Sequence, residues 1–173
     1  MTAAALLPAA QMTTATAAAG PGPEALLSLL DLKPIGGAPV TASDLAQRPV
    51  LITFWASWCP PCRDEFHNFN RITTSYGGRG LLTLGVNVFE DFGGLSSPEK
   101  RARFIRQTAP AFQLLEGTDA TRAAFGGVSR IPTVMLFDTA GQLAYAFVHE
   151  EGATRMHVTY GEMKPVLDAL LPA

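Results

Sequence analysis

Cys59 and Cys62 are the only two cysteines in the chain, and two prolines separate them in the stretch FWASWCPPCRDE, residues 54–65. Two thiols at this spacing can form a disulfide and exchange it with the disulfides of other molecules. A structural disulfide is disfavoured, because closing a loop of two residues constrains the unfolded chain little. The pair therefore points to redox exchange or to part of a metal site.

A metal site at these cysteines would need further ligands, and histidines are the main candidates. Structural zinc takes four Cys or His ligands, and the chain has no second C-x-x-C and no His-x-His group. Copper held by the two thiolates and one imidazole remains an alternative, with His67 and His149 as candidate ligands. A thiol-dependent peroxidase is a further alternative, although the chain has no Thr-x-x-Cys motif.

The elements on either side of the motif predict which cysteine attacks. Val50–Trp55 is a short apolar run typical of a buried parallel strand. Apolar residues at helical spacing follow it, so Cys59 is predicted at a helix N-terminus, where free N–H groups and the helix dipole favour the reactive thiolate. Cys62 lies one turn further along and is predicted to be shielded. Cys59 is thus expected to be the exposed attacking thiol and Cys62 the thiol that releases the mixed disulfide.

Residues around the cysteines have supporting roles in this interpretation. Pro60 and Pro61 restrict the loop without loss of helical hydrogen bonds, because the first N–H groups of a helix have no partner within it. Arg63 adds positive charge next to the thiols. Glu65 is predicted on the helix surface, and a role in tuning the thiols remains an alternative.

The rest of the chain alternates between strand and helix signals. Leu81–Val88 is a second apolar strand, and Ser97-Pro98-Glu99 is a typical helix start. Strands over 133–138 and 142–148 flank a Gly-containing turn and predict an antiparallel hairpin. An apolar stripe over 163–170 predicts a closing helix. The order β-α-β-α-β-β-α predicts an α/β fold in which helices cover both faces of a mixed central sheet.

Composition limits the classes of partner. The chain has 173 residues, 47% apolar and 16% charged, with a net charge of −2, which is typical of one globular domain. Its densest basic cluster is predicted to be a solvated helix face rather than a nucleic-acid site, and comprises Lys100, Arg101, Arg103 and Arg106. Residues 1–23 are uncharged and rich in Ala and Thr. They are predicted to be a flexible tail or the remnant of a signal or anchor, and residues 24–173 form the domain.

The active-site stretch FWASWCPPCRDE resembles that of the thioredoxin superfamily, and is most similar to the TlpA/ResA-like thiol-disulfide oxidoreductases. GGVSRIPTVMLFDTAGQLAYAFVHEEG, residues 126–152, resembles the distal half of the same family, with its Ile-Pro-Thr segment and Asp-x-x-Gly turn. The resemblance covers roughly residues 30–173. It implies a thioredoxin-like fold in which the Ile131–Pro132 peptide is cis and faces the cysteines.

The resemblance also implies which residues contact a substrate. Trp58 matches the aromatic residue that shields the disulfide, and Trp58, Pro60, Pro61, Ile131 and Pro132 are the implied substrate-binding residues. Two positions depart from relatives. Thr53 occupies the place of the buried Asp of ordinary thioredoxins, so the usual proton acceptor for the buried thiol is absent. Phe66-His67 replaces a proline that many relatives carry after the Arg-x-Glu tail.

The sequence therefore predicts a thiol-disulfide oxidoreductase whose catalytic residues are Cys59 and Cys62. Its expected partners are protein thiols and disulfides and an upstream electron donor, with no nucleic acid. No metal or small-molecule cofactor is expected, because the cysteines are themselves the redox centre. The resemblance further implies a reductase in an extracytoplasmic compartment such as the bacterial periplasm, with a link to cytochrome c biogenesis. The Ala-rich tail resembles a cut signal or a membrane tether, and we expect a monomer. A cytoplasmic location is the alternative.

Overall fold

The computed structural model describes residues 20–171, and a single five-stranded sheet organises them. The strands lie in the order β3-β2-β1-β4-β5, with β1 in the centre. β1 pairs in parallel with β2 and antiparallel with β4, so the sheet is mixed, as predicted. The strands are β1 Val50–Trp55, β2 Leu82–Asn87, β3 Gln113–Glu116, β4 Thr133–Phe137 and β5 Leu143–Val148.

Helices cover both faces of this sheet, as the order of the sequence signals predicted. They are α1 Pro23–Leu27, α2 Ala42–Leu45, α3 Pro60–Tyr76, α4 Pro98–Thr108, α5 Asp119–Ala124 and α6 Tyr160–Leu170. Short 3₁₀ turns occupy Ser28–Asp31, Gly77–Arg79 and Phe92–Gly94. No helix among residues 20–171 is both long and apolar enough to cross a lipid bilayer.

The alternation of side chains along β1 divides the core into two layers. Leu51 and Trp55 point to one face, where they pack with residues of α3, α4 and α6. Ile52 and Phe54 point to the other face, where they pack with α1 and with Phe125 at the end of α5. All six residues of β1 are buried, which agrees with the continuous apolar run in the sequence.

Four short elements were missed from the sequence, namely α1, α2, β3 and α5. β3 has only four residues, and it pairs with β2 through Leu84–Asn87. α5 has six residues and begins at a capping box in which Thr118 and Thr121 bond each other's backbone N–H groups. Both are too short to give a clear periodic pattern. The crossover from β2 through α4 to β3 is what makes one edge of the sheet parallel.

The first helix begins at the predicted domain boundary. The predicted tail over 1–23 lies largely outside the described residues, but Pro23 is the first residue of α1. The following Ala25 and Leu26 are buried in the core layer on the α5 side of the sheet. Pro23 itself is exposed, and Ala25, the first buried residue of the described part of the chain, lies inside the predicted domain.

Candidate active site

Cys59 and Cys62 are joined in a disulfide at the start of α3, with their Cα atoms 5.4 Å apart. Cys59 is the N-cap residue of the helix, and its Sγ accepts a hydrogen bond from the Cys62 N–H at 3.2 Å. Pro60 and Pro61 fill the first two helical positions and carry no N–H. Cys62 therefore supplies the first backbone donor of this helix, and that donor points at the Cys59 sulfur.

The predicted difference in exposure between the two cysteines needs correction. Cys62 is fully buried, as predicted, but Cys59 is only 3% exposed. Trp58 and Ile131 pack against the apolar cluster that contains both cysteines. Cys59 is thus covered by its neighbours rather than open to solvent. The two cysteines differ in their helical position, since Cys59 is the N-cap and Cys62 lies in the first turn, and they differ little in exposure.

The predicted substrate-binding residues belong to two segments, one that contains the cysteines and one directly before β4. Trp58 is half-buried, and its indole N–H donates to the Phe89 carbonyl at 2.8 Å. Pro60 and Pro61 line a groove of about 630 Å³ together with the loop over 154–157. Ile131 is half-buried and Pro132 is buried, and the peptide bond between them is cis, as the resemblance implied.

Glu65 has an environment that the sequence did not reveal. It was predicted on the helix surface, but its side chain is fully buried. Its carboxyl group accepts hydrogen bonds from the Thr53 hydroxyl and from the Val158 N–H, the latter at 3.3 Å. Burial raises the pKa of Glu65 to about 7, and the two hydrogen bonds act in the opposite direction.

The Glu65 carboxyl group lies against residue 53, where this chain has threonine in place of the aspartate of ordinary thioredoxins. Glu65 follows Cys62 by three residues on α3, so the two side chains share one face of the helix. Thr53 reaches the same carboxyl group from β1. A titratable group with a pKa near neutrality therefore occupies the interior beside the buried thiol, supplied by the helix instead of the strand. The Glu three residues after the second cysteine was the available sequence signal.

Arg63 is turned away from the thiols. Its guanidinium group lies 5.0 Å from the centre of the Phe104 ring and donates to the Gln107 side chain at 2.9 Å. The positive charge of Arg63, which was expected to act on Cys59, thus lies against α4. On that helix Lys100, Arg103 and Arg106 are exposed as predicted, whereas Arg101 is half-buried and pairs with Glu116.

The two histidines considered as copper ligands have different environments. His67 is exposed on α3. His149 places Nε2 3.1 Å from the Ile131 carbonyl oxygen and Nδ1 3.3 Å from that of Glu150. Within residues 20–171, no group of three or more His, Cys, Asp or Glu side chains is placed to hold a metal ion.

A redox-active Cys-Pro-Pro-Cys segment at the N-terminus of a helix, directly after the central strand of this mixed sheet, defines a thioredoxin-like thiol-disulfide oxidoreductase. The chain belongs to the Redoxin family, which it matches over residues 8–164. The TlpA/ResA-like resemblance of the active-site stretch is confirmed by its similarity to known relatives.

Two relatives and one solved structure illustrate that similarity. Thiol-disulfide oxidoreductase ResA of Geobacillus kaustophilus is 32% identical over 130 residues, which cover 75% of this chain and 68% of that protein. Thiol:disulfide interchange protein HelX of Rhodobacter capsulatus is 30% identical over 115 residues, covering 65% and 60%. A secreted disulfide oxidoreductase of Mycobacterium tuberculosis, described as homologous to E. coli DsbE, superposes with a TM-score of 0.64 at 17% identity. That match covers 82% of this chain and 97% of the other, and shows the shared fold.

Proposed function

We propose that the protein works as a dithiol reductase of protein disulfides. In this direction of reaction, electrons pass from the protein to its partner. The observation that supports it is the pair of prolines at the first two positions of α3. An N-cap side chain normally accepts from the N–H of the second or third helical residue, and here only the third, Cys62, can donate. A thiolate with fewer donors is less stabilised, and a less stabilised reduced form gives up electrons more readily.

The reaction then follows from the order of the cysteines. The Cys59 thiolate attacks one sulfur of a partner disulfide and releases the other sulfur as a thiolate. Cys62 loses its proton and attacks Cys59, which forms the Cys59–Cys62 disulfide and releases the partner's second thiol. Two electrons pass to the partner, and an upstream dithiol must return them. The disulfide is the redox centre, so this cycle uses no dissociable cofactor.

We assign to Glu65 the role of accepting the proton that Cys62 loses. The two side chains are buried on the same helix face, and the pKa of the Glu65 carboxyl group is raised to about 7 by burial. A carboxyl group with this pKa can accept a proton near neutral pH and give it up again in the next cycle. The thiol of Cys62 would otherwise have to ionise in an apolar interior, which is unfavourable.

The location we propose is outside the cytoplasm, in a compartment such as the bacterial periplasm, with the protein acting as a monomer. Support comes from the resemblance to TlpA/ResA-like proteins and from the secreted oxidoreductase that shares the fold. A role in cytochrome c biogenesis is proposed on the same resemblance. Fractionation of cells that express the full gene product tests the location, and recovery only from the cytosol would contradict it.

Trapping of reaction intermediates tests the direction and the roles of the cysteines. We expect Cys62→Ser to accumulate mixed disulfides with oxidised insulin through Cys59, because no thiol remains to release them. Cys59→Ser is the matched control and should trap none. The wild type, reduced beforehand, should reduce insulin disulfides to thiols and become oxidised itself. Mixed disulfides that form through Cys62 in the control, or a wild type that only oxidises reduced insulin, would contradict the proposal.

A further inference from the structure

An exposed aromatic ring lies beside the redox centre. Phe92 is 61% exposed and Leu95 is 46% exposed, and both belong to the loop between β2 and α4. The Phe92 ring stacks on the Trp58 indole, with 5.6 Å between ring centres and 27° between planes. Trp58 directly precedes Cys59. We call these three side chains, Trp58, Phe92 and Leu95, the loop patch.

Hydrogen bonds hold this loop against the residues before Cys59. The Glu90 carboxylate accepts from the Ser57 N–H at 3.0 Å and from the Asn87 amide at 2.8 Å. The hydroxyl groups of Ser57 and Ser96 bond the same carboxylate. These bonds outweigh the effect of burial, so the pKa of Glu90 is lowered and the group is ionised at neutral pH. The indole bond to Phe89 adds a further tie.

The protein gains little stability from the ring that this loop presents. Hydrophobic stabilisation scales with the apolar area removed from water, and most of Phe92 remains in water. Glu90 and its partners fix the loop without any contribution from that ring. A fixed, exposed aromatic group with an apolar neighbour is typical of a surface that binds another molecule.

The position of the loop patch beside Cys59 indicates which part of a partner would contact it. A partner disulfide must reach Cys59, the chain neighbour of Trp58, and consecutive residues of an extended chain are about 3.3–3.6 Å apart. A side chain one or two residues from the partner's cysteine therefore reaches Phe92, whose ring centre is 5.6 Å from that of Trp58. The face that it meets is apolar.

We propose that the loop patch binds an apolar side chain adjacent to the reactive cysteine of a partner polypeptide, and makes Phe92 a specificity-determining residue. The inference rests on the proposed thiol-disulfide exchange and adds a substrate class to it. Burial of a Leu side chain against Phe92 on docking favours the encounter with such a partner. A partner with a charged or small polar residue at that position gains no such contact.

Matched peptides test this preference. Decapeptides with a single cysteine, present as a mixed disulfide with thionitrobenzoate, differ only in having Leu or Ser before that cysteine. Cys59 of the reduced protein attacks the peptide sulfur and releases thionitrobenzoate, which is followed by its absorbance. Cys62 then releases the peptide thiol. The disulfide of two thionitrobenzoates, which has no peptide, serves as the small substrate.

For the wild type we expect the second-order rate constant of thionitrobenzoate release to be about tenfold higher with the Leu peptide, which corresponds to ~1.4 kcal/mol. Phe92→Ser should reduce this preference to less than twofold, and Phe92→Leu should restore most of it. Leu27→Ser is the control, since Leu27 is 57% exposed on α1 and should not affect the preference. Rates with the small substrate should be equal in all four proteins.

Two results would overturn the inference: a Leu preference that survives in Phe92→Ser, or an equal loss of rate on the small substrate and the peptides. The second result would make Phe92 a support for Trp58 and Cys59 instead of a contact. Failure of the proposed function looks different, because the reduced wild type would then release thionitrobenzoate from the peptides and the small substrate no faster than an equal concentration of glutathione. Thermal unfolding of Phe92→Ser, expected to match the wild type, excludes misfolding as the cause of a lost preference.

Discussion

The carboxyl group of Glu65 on α3 accepts a hydrogen bond from the hydroxyl group of Thr53 on β1, and both side chains are fully buried. The raised pKa of Glu65, about 7 against an ordinary 4.5, links this contact to stability. Between these two pH values the folded state holds a proton that the unfolded state has lost. The unfolded state binds fewer protons there, so stability falls as the pH rises from 4.5 to 7.

We therefore expect the oxidised wild type to lose about 3 kcal/mol of unfolding free energy to this group over that range. Glu65→Gln should lack this component, since its amide does not titrate and can bond both Thr53 and the Val158 N–H. Urea unfolding at a series of pH values measures the difference. Glu99→Gln, at an exposed position on α4, is the control. Parallel pH profiles of wild type and Glu65→Gln would be inconsistent with a buried, titrating Glu65.

Thr53→Val tests the hydrogen bond itself. The Thr53 hydroxyl lowers the pKa of Glu65 against the effect of burial, and valine keeps the shape of threonine without the donor. We expect the titration midpoint of Glu65 in the variant to move to higher pH, as measured by ¹³C NMR of the carboxyl carbon. Thr83→Val on β2 is a matched control, because Thr83 is also buried but does not bond Glu65. An unchanged or lower midpoint in Thr53→Val would show that the hydroxyl does not stabilise the carboxylate.

Glu65 and Thr53 also show where the sequence was sufficient to predict the structure and where it was not. β1, α3 and the β4–β5 hairpin were predicted, because each has a long apolar pattern or a turn signal of its own. Glu65 was misplaced because its burial depends on Thr53 and on the Val158 N–H, 93 residues away. A charged residue in a helix has no local signal for such partners. The tie between Glu90 and Ser57 was missed for the same reason.

The prolines of the active site lead to an expectation about redox potential. Pro61→Ala adds an N–H at the second position of α3, where it can donate to the Cys59 thiolate. We expect the reduction potential to rise by about 30 mV, equivalent to ~1.4 kcal/mol of extra stabilisation of the reduced form. Pro60→Ala is the matched control, since an N–H at the first position does not face the N-cap side chain. Equilibration with glutathione buffers measures both, and a lower potential in Pro61→Ala would contradict the proposed reason for reductase activity.

The aromatic cluster under the active site allows a prediction about stability. Phe66 is fully buried and contacts three aromatic rings whose centres are 5.0–5.1 Å from its own, those of Trp55, Phe104 and Phe112. Phe66→Ala should cost about 3–5 kcal/mol, because it leaves a cavity among these rings. Phe92→Ala, at an exposed ring, should change stability by less than about 0.5 kcal/mol. Urea unfolding of the oxidised proteins compares them, and equal losses would argue against the described packing.

Both tryptophans pack in or against the apolar cluster that contains the disulfide, which makes the protein's own fluorescence a reporter of its redox state. Trp55 is fully buried and stacked on Phe104 with ring centres 5.0 Å apart. Trp58 is half-buried next to Cys59 and packs against the cluster that contains the disulfide. A disulfide accepts an electron from an excited indole nearby and so quenches its fluorescence, whereas a pair of thiols does so less. Trp55 belongs to the same buried cluster as both cysteines and Trp58 packs against it. Reduction should therefore brighten the tryptophan emission, so that the fluorescence of the unlabelled protein follows the arrival and departure of its electrons during turnover.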